Sequence, residues 1–270
     1  TDPCPNWPGD CSEDGTILTV AVGQSIELAI DLVPAGGTVE IAAGTFPITT
    51  TIDPAGKAVT IRGATDESGT ALTVLDGGGS SRSARVLQCV SGEGANTVFE
   101  NLVIRNGYSS NDGGGMYNEN SSPTLNNCTF SSNSAATFGG GMFNSLDSSP
   151  TLTNCTFANN SANYGGGMVN KDRSSPTLAN CTFENNSANT SGAGIWNWNE
   201  SSPELTDCTF LNNSCNNDGG GIWSANNCSL TLTNCSFTGN SANYAGGMSN
   251  GECSPILTNC TFKDNTAVVH

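Results

Sequence analysis

Apolar residues in this chain follow a short alternation nested inside a long repeat. In the octet PTLTNCTF, Leu152 points inward and Thr153 outward; Asn154 breaks the alternation, and Cys155 (in), Thr156 (out) and Phe157 (in) resume it. A period-two pattern that skips a step at Asn predicts two short strands joined by a tight corner, because Asn tolerates left-handed backbone. The next stretch, ANNSANY, reads as a loop with one inward residue, Ala162, and GGGMVN supplies a third strand with Met168 inward and Val169 outward. The phrase then repeats: Cys128, Cys155, Cys181, Cys208, Cys235 and Cys260 mark it at steps of 27, 26, 27, 27 and 25 residues. Such a period marks a solenoid, whose coils bury their apolar faces only by stacking. Thr, Asn, Gly and Ser in every unit disfavour helix interiors and suit strands and turns. The prediction is an all-β chain of coils stacked about 4.8 Å apart, a parallel β-helix. The corner residues then form a ladder of Asn127, Asn154, Asn180, Asn234 and Asn259, with Asp207 as a substitute of the same shape.

The first hundred residues fit this scheme. In SIELAIDLV the apolar Ile26, Ala29, Ile30 and Val33 have the spacing of a short amphipathic helix, with Ser25 as N-cap. That helix is expected to plug the solenoid end, where open strand edges invite aggregation. TVEIAAGTF and AVTIRGA follow as strands with DPAG as a turn between them, and TVFENLVIRN restates the coil, Asn101 and Ile104 standing 26 residues before Asn127 and Phe130. Residues 1–270 are therefore expected to form a single domain: a loop and capping helix over 1–38, irregular coils over 39–100 and regular repeats over 101–270.

Charge and cysteine content narrow the function classes. With 24 acidic against 8 basic residues the net charge is -16, which repels nucleic acid, anionic headgroups and polyuronates. No apolar run approaches the roughly 20 residues that span a bilayer, and the opening TDPCPNWPGDC reads as a mature or trimmed exported segment. Twelve cysteines point to an oxidising compartment. They contain no C-x-x-C pair and the single histidine is His270, so no metal site and no cofactor is expected. Cys4 and Cys11 are expected to pair, as are Cys228 and Cys253, each seven residues before a column cysteine. The column itself is expected to stay as thiols, packing as small apolar groups, with Cys215 buried and free.

Two recurring tetrads carry a resemblance. One is F-x-x-N, at Phe130, Phe157, Phe183, Phe210, Phe237 and Phe262; the other is Gly-Gly-small-aliphatic, as GGGM at Gly113, Gly139 and Gly165, GAGI at Gly192, GGGI at Gly219 and AGGM at Ala245. This alternation, over about residues 101–270, resembles the repeats of the polymorphic outer membrane proteins and related bacterial pectin-lyase-like β-helix proteins. The opening SIELAIDLVPAGGTVEIAAGTF resembles the cap and first coil of many secreted right-handed β-helices. The resemblance implies a right-handed β-helix, secretion, and a surface or adhesive role. The tetrad departs from the adhesin family's usual Ala and Ile by carrying Gly and Met.

A polysaccharide lyase needs a Lys or Arg base, and a glycosidase two carboxyls at a set separation; the residues nearest to either requirement are Lys171, Arg173 and Glu200, in neighbouring inter-coil loops. A regular outward Thr column (Thr129, Thr156, Thr182, Thr209, Ser236, Thr261) suggests an ice-binding face, but Glu204 interrupts the neighbouring column. The column after the inward Met or Ile reads Tyr117, Phe143, Val169, Trp196, Trp223, Ser249, with Trp198 on the same side as Trp196. Such a ladder can stack sugar rings or a partner chain. The expectation is a secreted, non-catalytic β-helix for surface adhesion or glycan binding. Its ligand is a neutral glycan through Tyr117, Phe143, Trp196, Trp198 and Trp223, with a protein surface or a second copy as the other partner. A carbohydrate-active enzyme on the same fold is the alternative.

Overall fold

A computed structural model of the protein describes residues 4–81 and 84–268; His270 lies outside them. The chain coils into a solenoid whose strands stack in four parallel sheets of ten, nine, seven and seven strands. One regular coil shows the plan. Thr151–Thr153 lies on the first face and Thr156–Ala158 on the second, Ser161–Ala162 forms a two-residue third, and Met168–Lys171 lies on the fourth. Each strand pairs in register with its counterparts one coil away, so Leu152 meets Leu125 and Leu178, and Phe157 meets Phe130 and Phe183. The coil therefore has four strands rather than the three expected: Ser161 and Ala162, read as loop, pair with Ser187 and Ala188.

Three stacks of polar side chains link the coils, two of them at corners. At the first corner Asn127, Asn154, Asn180, Asp207, Asn234 and Asn259 all take φ between 51 and 55°, and their exposed amides link coil to coil, as in Asn180 Nδ2 to Asn154 Oδ1 at 2.7 Å. At the end of the second face the Asn of F-x-x-N turns inward. Asn186 Nδ2 donates to Phe157 O (2.8 Å) and Asn213 Oδ1 (2.9 Å), while its Oδ1 accepts from the backbone N and Nδ2 of Asn160, both at 3.0 Å. A third amide stack, Asn118, Asn144, Asn170 and Asn197, is buried on the inward side of the fourth face and ends on Ser224 Oγ.

The core between the faces is a set of columns. Phe130 through Phe262 stack with centroids 4.6–5.0 Å apart and planes within 5°. Each fully buried ring contributes about 1.5–3 kcal/mol of burial. The Gly at the third position of each tetrad makes room for this column: a Cβ on Gly167 would sit 2.5 Å from Gly194 O and 2.9 Å from the Phe183 ring. At the N-terminal end the helix Ile26–Leu32 buries Ile26, Ala29 and Ile30, and the Ser25 side chain accepts from Leu28 N at 3.0 Å. Lys57 closes its other end, its Nζ donating to the carbonyls of Ile30, Asp31 and Val33, where a cation complements the helix dipole.

The sulfurs divide clearly. Cys4 and Cys11 form a disulfide, and the remaining ten cysteines are thiols. The expected Cys228–Cys253 bridge is not made. Each thiol is engaged by a carbonyl of its own coil, Cys228 with Ala225 O at 3.1 Å and Cys253 with Gly251 O at 3.2 Å. In the column every thiol from Cys128 to Cys260 likewise lies within reach of carbonyls, Cys155 at 3.4 Å from Thr153 O and 3.6 Å from Leu125 O. Hydrogen bonding along the thiol stack, then burial, pushes Cys181 and Cys208 up to about 12, and burial beside Cys253 does the same to Cys228. These groups stay as unreactive thiols near neutral pH. A water-soluble thiol reagent near pH 8 should therefore label only the half-buried Cys253 and Cys260 in native protein, and all ten thiols in denaturant. Fast native labelling of the Cys155, Cys181 or Cys208 positions, mapped by peptide mass, would contradict this packing.

Candidate functional site

The aromatic column is built by the register of the fourth face, where Tyr117, Phe143, Val169, Trp196, Trp223 and Ser249 pair in succession. Parity places these side chains outside the core as expected, but they do not form a bare stripe. Phe143 is 4% exposed, Val169 0% and Trp196 6%; Tyr117, Trp198 and Trp223 are half-buried. The cover comes from a second column immediately before the glycine tetrads, Asp112, Phe138, Tyr164, Ser191 and Asp218, which Ala245, the first residue of the last tetrad, continues. The tight glycine turn folds this wall against the floor, with Phe138 bridging to Tyr164 and Asp218 to Ala245. Phe138 lies 6.0 Å from Phe143, 5.3 Å from Tyr164 and 5.3 Å from Trp196. Sequence reasoning missed Phe138 and Tyr164, although both stand at one phase of the repeat, in TFGGG and NYGGG.

At its tryptophan end the cluster becomes a stack. Trp196, Trp198 and Trp223 are mutually near-parallel, with interplanar angles of 7–14° and centroids 5.2–5.8 Å apart. Each such pair is worth about 0.5–1.5 kcal/mol beyond burial. Most ring faces are therefore turned on one another. Trp196 Nε1 is buried without a hydrogen-bond partner, an uncompensated desolvation of about 1–3 kcal/mol. A groove of about 460 Å³ runs between wall and floor here, lined by Phe138, Tyr164, Lys171, Thr190, Ser191, Asn217 and the three indoles. It meets at Phe138 a second hollow of about 340 Å³ lined by Arg85, Asn111, Asp112, Tyr117 and Thr137. A larger hollow of about 550 Å³ beside the capping helix, between Gly23–Glu27 and Phe46–Thr50, contains none of these rings.

Charged groups punctuate the groove. Arg85 lies over the Tyr117 ring at 4.5 Å, with its donors committed to Gly113 O, Asp112 O and Gln88 Oε1, so it braces the wall turn. Burial pushes the Asp112 carboxyl up, against the pull of the Phe138 N–H that it accepts. Lys171 Nζ stands 3.4 Å from the Asp172 carboxylate and 6.0 Å from the Phe138 ring centroid. The other two catalytic candidates stand elsewhere. Arg173 forms a two-point ion pair with Asp147, and Arg173 and Glu200 occupy equivalent left-handed positions (φ 63 and 62°) on the outer turn. The structure thus brings only Lys171 of the three into the groove. Among the described residues no group of three His, Cys, Asp or Glu side chains converges to hold a metal ion.

The family described as the right-handed beta helix region matches residues 59–213, more than half of the chain. The protein belongs to the right-handed β-helix family. Residues 207–225 of this β-helix also match the Chlamydia polymorphic membrane protein repeat. That segment holds the last F-x-x-N to GGGI passage before the final two coils. No curated protein matches the chain. Among solved structures, pectate lyase Pel9A is similar over 94% of this chain and 79% of its own, at 13% identity and a TM-score of 0.56, a likeness of fold. The A-module of mannuronan C-5 epimerase AlgE4 from Azotobacter vinelandii aligns over 92% and 96% at 13% identity, with a TM-score of 0.34.

The Tyr117 phenol gives the groove a pH signature. Burial, then its hydrogen bond to Glu119, raises it from 10.0 to about 12. A raised value means that the folded state keeps the proton longer. The contribution is complete below the unfolded value of about 10 and is lost as pH rises through about 12. Ultraviolet titration should show a late phenolate phase that Tyr117→Phe removes; a late phase that survives this change contradicts the assignment.

Proposed function

We propose that this β-helix is a secreted, non-catalytic protein that binds neutral glycans at a cell surface through its aromatic groove. The observation that carries the reading is the cluster of three indoles at the margin of an open groove, two of them half-buried. The Trp196 N–H supports it. A column selected for packing alone would carry Phe or Leu there and avoid a buried orphan donor, and breaches of local consistency concentrate at functional sites. The net charge of -16 favours uncharged over acidic polymers. Export and a surface location accord with the Cys4–Cys11 disulfide and with the polymorphic membrane protein repeat.

A carbohydrate-active enzyme, specifically a polysaccharide lyase, is the second reading, favoured by one observation: Lys171 is an amine placed in the groove. Against it, the Lys171 amine is engaged by the Asp172 carboxylate at 3.4 Å rather than turned free into the groove.

The test is a panel of soluble polysaccharides assayed for binding and for chain cleavage, with the double variant Trp198→Ala, Trp223→Ala. The expected result is saturable binding of a neutral polysaccharide without turnover, weakened at least tenfold, about 1.4 kcal/mol, in the variant. Unsaturated or reducing-end product that accumulates with native protein and disappears in Lys171→Ala would replace this reading by the enzymatic one.

A further inference from the structure

The stacked indoles leave one face unused. Trp196 and Trp198 share a strand, and Trp223 lies on the next, its ring 5.2 and 5.8 Å from theirs. With Trp196 and Trp198 5.7 Å apart and all three planes within 14°, Trp223 sits as a lid about one coil rise, ~4.8 Å, above the pair. Both of its ring contacts are on the N-terminal side. On the other side its register partner is Ser249, and no aromatic ring among the described residues stacks on that face. The wall residue at this level is Asp218, whose carboxylate lies 3.3 Å from Ser249 Oγ.

We propose that the C-terminal face of Trp223, over Ser249 and beside Asp218, is a subsite for one uncharged pyranose. The inference rests on the glycan-binding reading above and assigns its ligand class and stoichiometry. A pyranose presents a face of C–H groups that stacks on an indole as another ring would. One coil rise separates each ring in this column from the next, so the sugar takes the place of the ring that Ser249 omits. Asp218 is acceptor-only when ionised; it accepts from sugar hydroxyls and repels a uronate carboxylate. The remaining floor rings are covered by one another, by Arg85 over Tyr117 and by Phe138 against Phe143 and Trp196, so the column does not hold one sugar per coil. It holds one, at the end of the stack.

Ser249→Phe tests this without removing any groove residue from the stack. The new ring extends the column in register, as Phe143 follows Tyr117, and covers the face. Binding of cellotetraose and β-1,4-mannotetraose, with tetragalacturonate as the acidic control, is measured by titration calorimetry on the whole chain, and unfolding of each variant is followed by circular dichroism. The expected outcome is one neutral oligosaccharide per native chain, at least tenfold preference over tetragalacturonate, and at least tenfold weaker binding by Ser249→Phe with its fold intact. Asp218→Asn should narrow the preference. Should Ser249→Phe prove unstable, Ser249→Leu covers the same face with a smaller side chain and is held to the same criterion. Native binding that Ser249→Phe leaves unchanged while the Trp198, Trp223 double variant loses it overturns the subsite and spares the glycan-binding reading. Absence of binding by native protein to both neutral probes and to every polysaccharide of the panel overturns both.

Discussion

The buried amide of F-x-x-N is the interaction on which the solenoid depends. A coil has to bend sharply at the end of its second face, and the bend puts backbone donors and acceptors where no strand can pair them. Asn186 resolves this by engaging Phe157 O and the backbone N of Asn160 on the coil before, and the amide of Asn213 on the coil after. Every buried polar group at the corner is thereby satisfied by a neighbour one coil away. The same contact holds the spacing at which the Phe column stacks. A unit with this corner is incomplete by itself, which is why the phrase repeats nearly unchanged.

That constraint also explains where variation is allowed. Inward positions are held by the Phe, Cys and Leu columns, each repeating the same or a closely similar residue. The outward floor of the fourth face touches none of these, and it runs from Tyr through Val to Trp and Ser. The wall column beside it varies as freely, from Asp112 through Phe138 to Ser191. A groove between two such columns can acquire rings and charges without disturbing the stack that supports it. The small Val169 leaves room for the Trp196 ring to approach Phe138 and Tyr164, and Ser249 ends the ring series.

Much of this was legible in the sequence. The parity break at Asn154 marked the corner, the capping motif marked the helix at Ser25, and spacing gave the columns of Cys155 and Phe157. Alternation reports which side of a strand a residue faces and says nothing about what lies over it. Val169, Phe143 and Trp196 face outward and are nonetheless covered, by wall residues that only the glycine turn brings near. The third strand at Ser161 was too short to show a period. Equal spacing of Cys228 and Cys253 correctly implied neighbouring coils, but each sulfur has a carbonyl of its own coil within reach and adjacency did not become a bond.

Two variants one corner apart test whether the buried amide holds the coils together. Asn186→Ala orphans several buried groups, each worth about 1–3 kcal/mol, and keeps Asn185, the left-handed residue of that corner (φ 53°). Asn180→Gly removes an exposed amide of the other ladder while keeping the backbone that its corner needs. Urea unfolding should show a loss of roughly 3 kcal/mol or more for Asn186→Ala and less than about 1 kcal/mol for Asn180→Gly. Equal losses, or a cost below about 1 kcal/mol for Asn186→Ala, would contradict the view that the buried ladder holds the coils together.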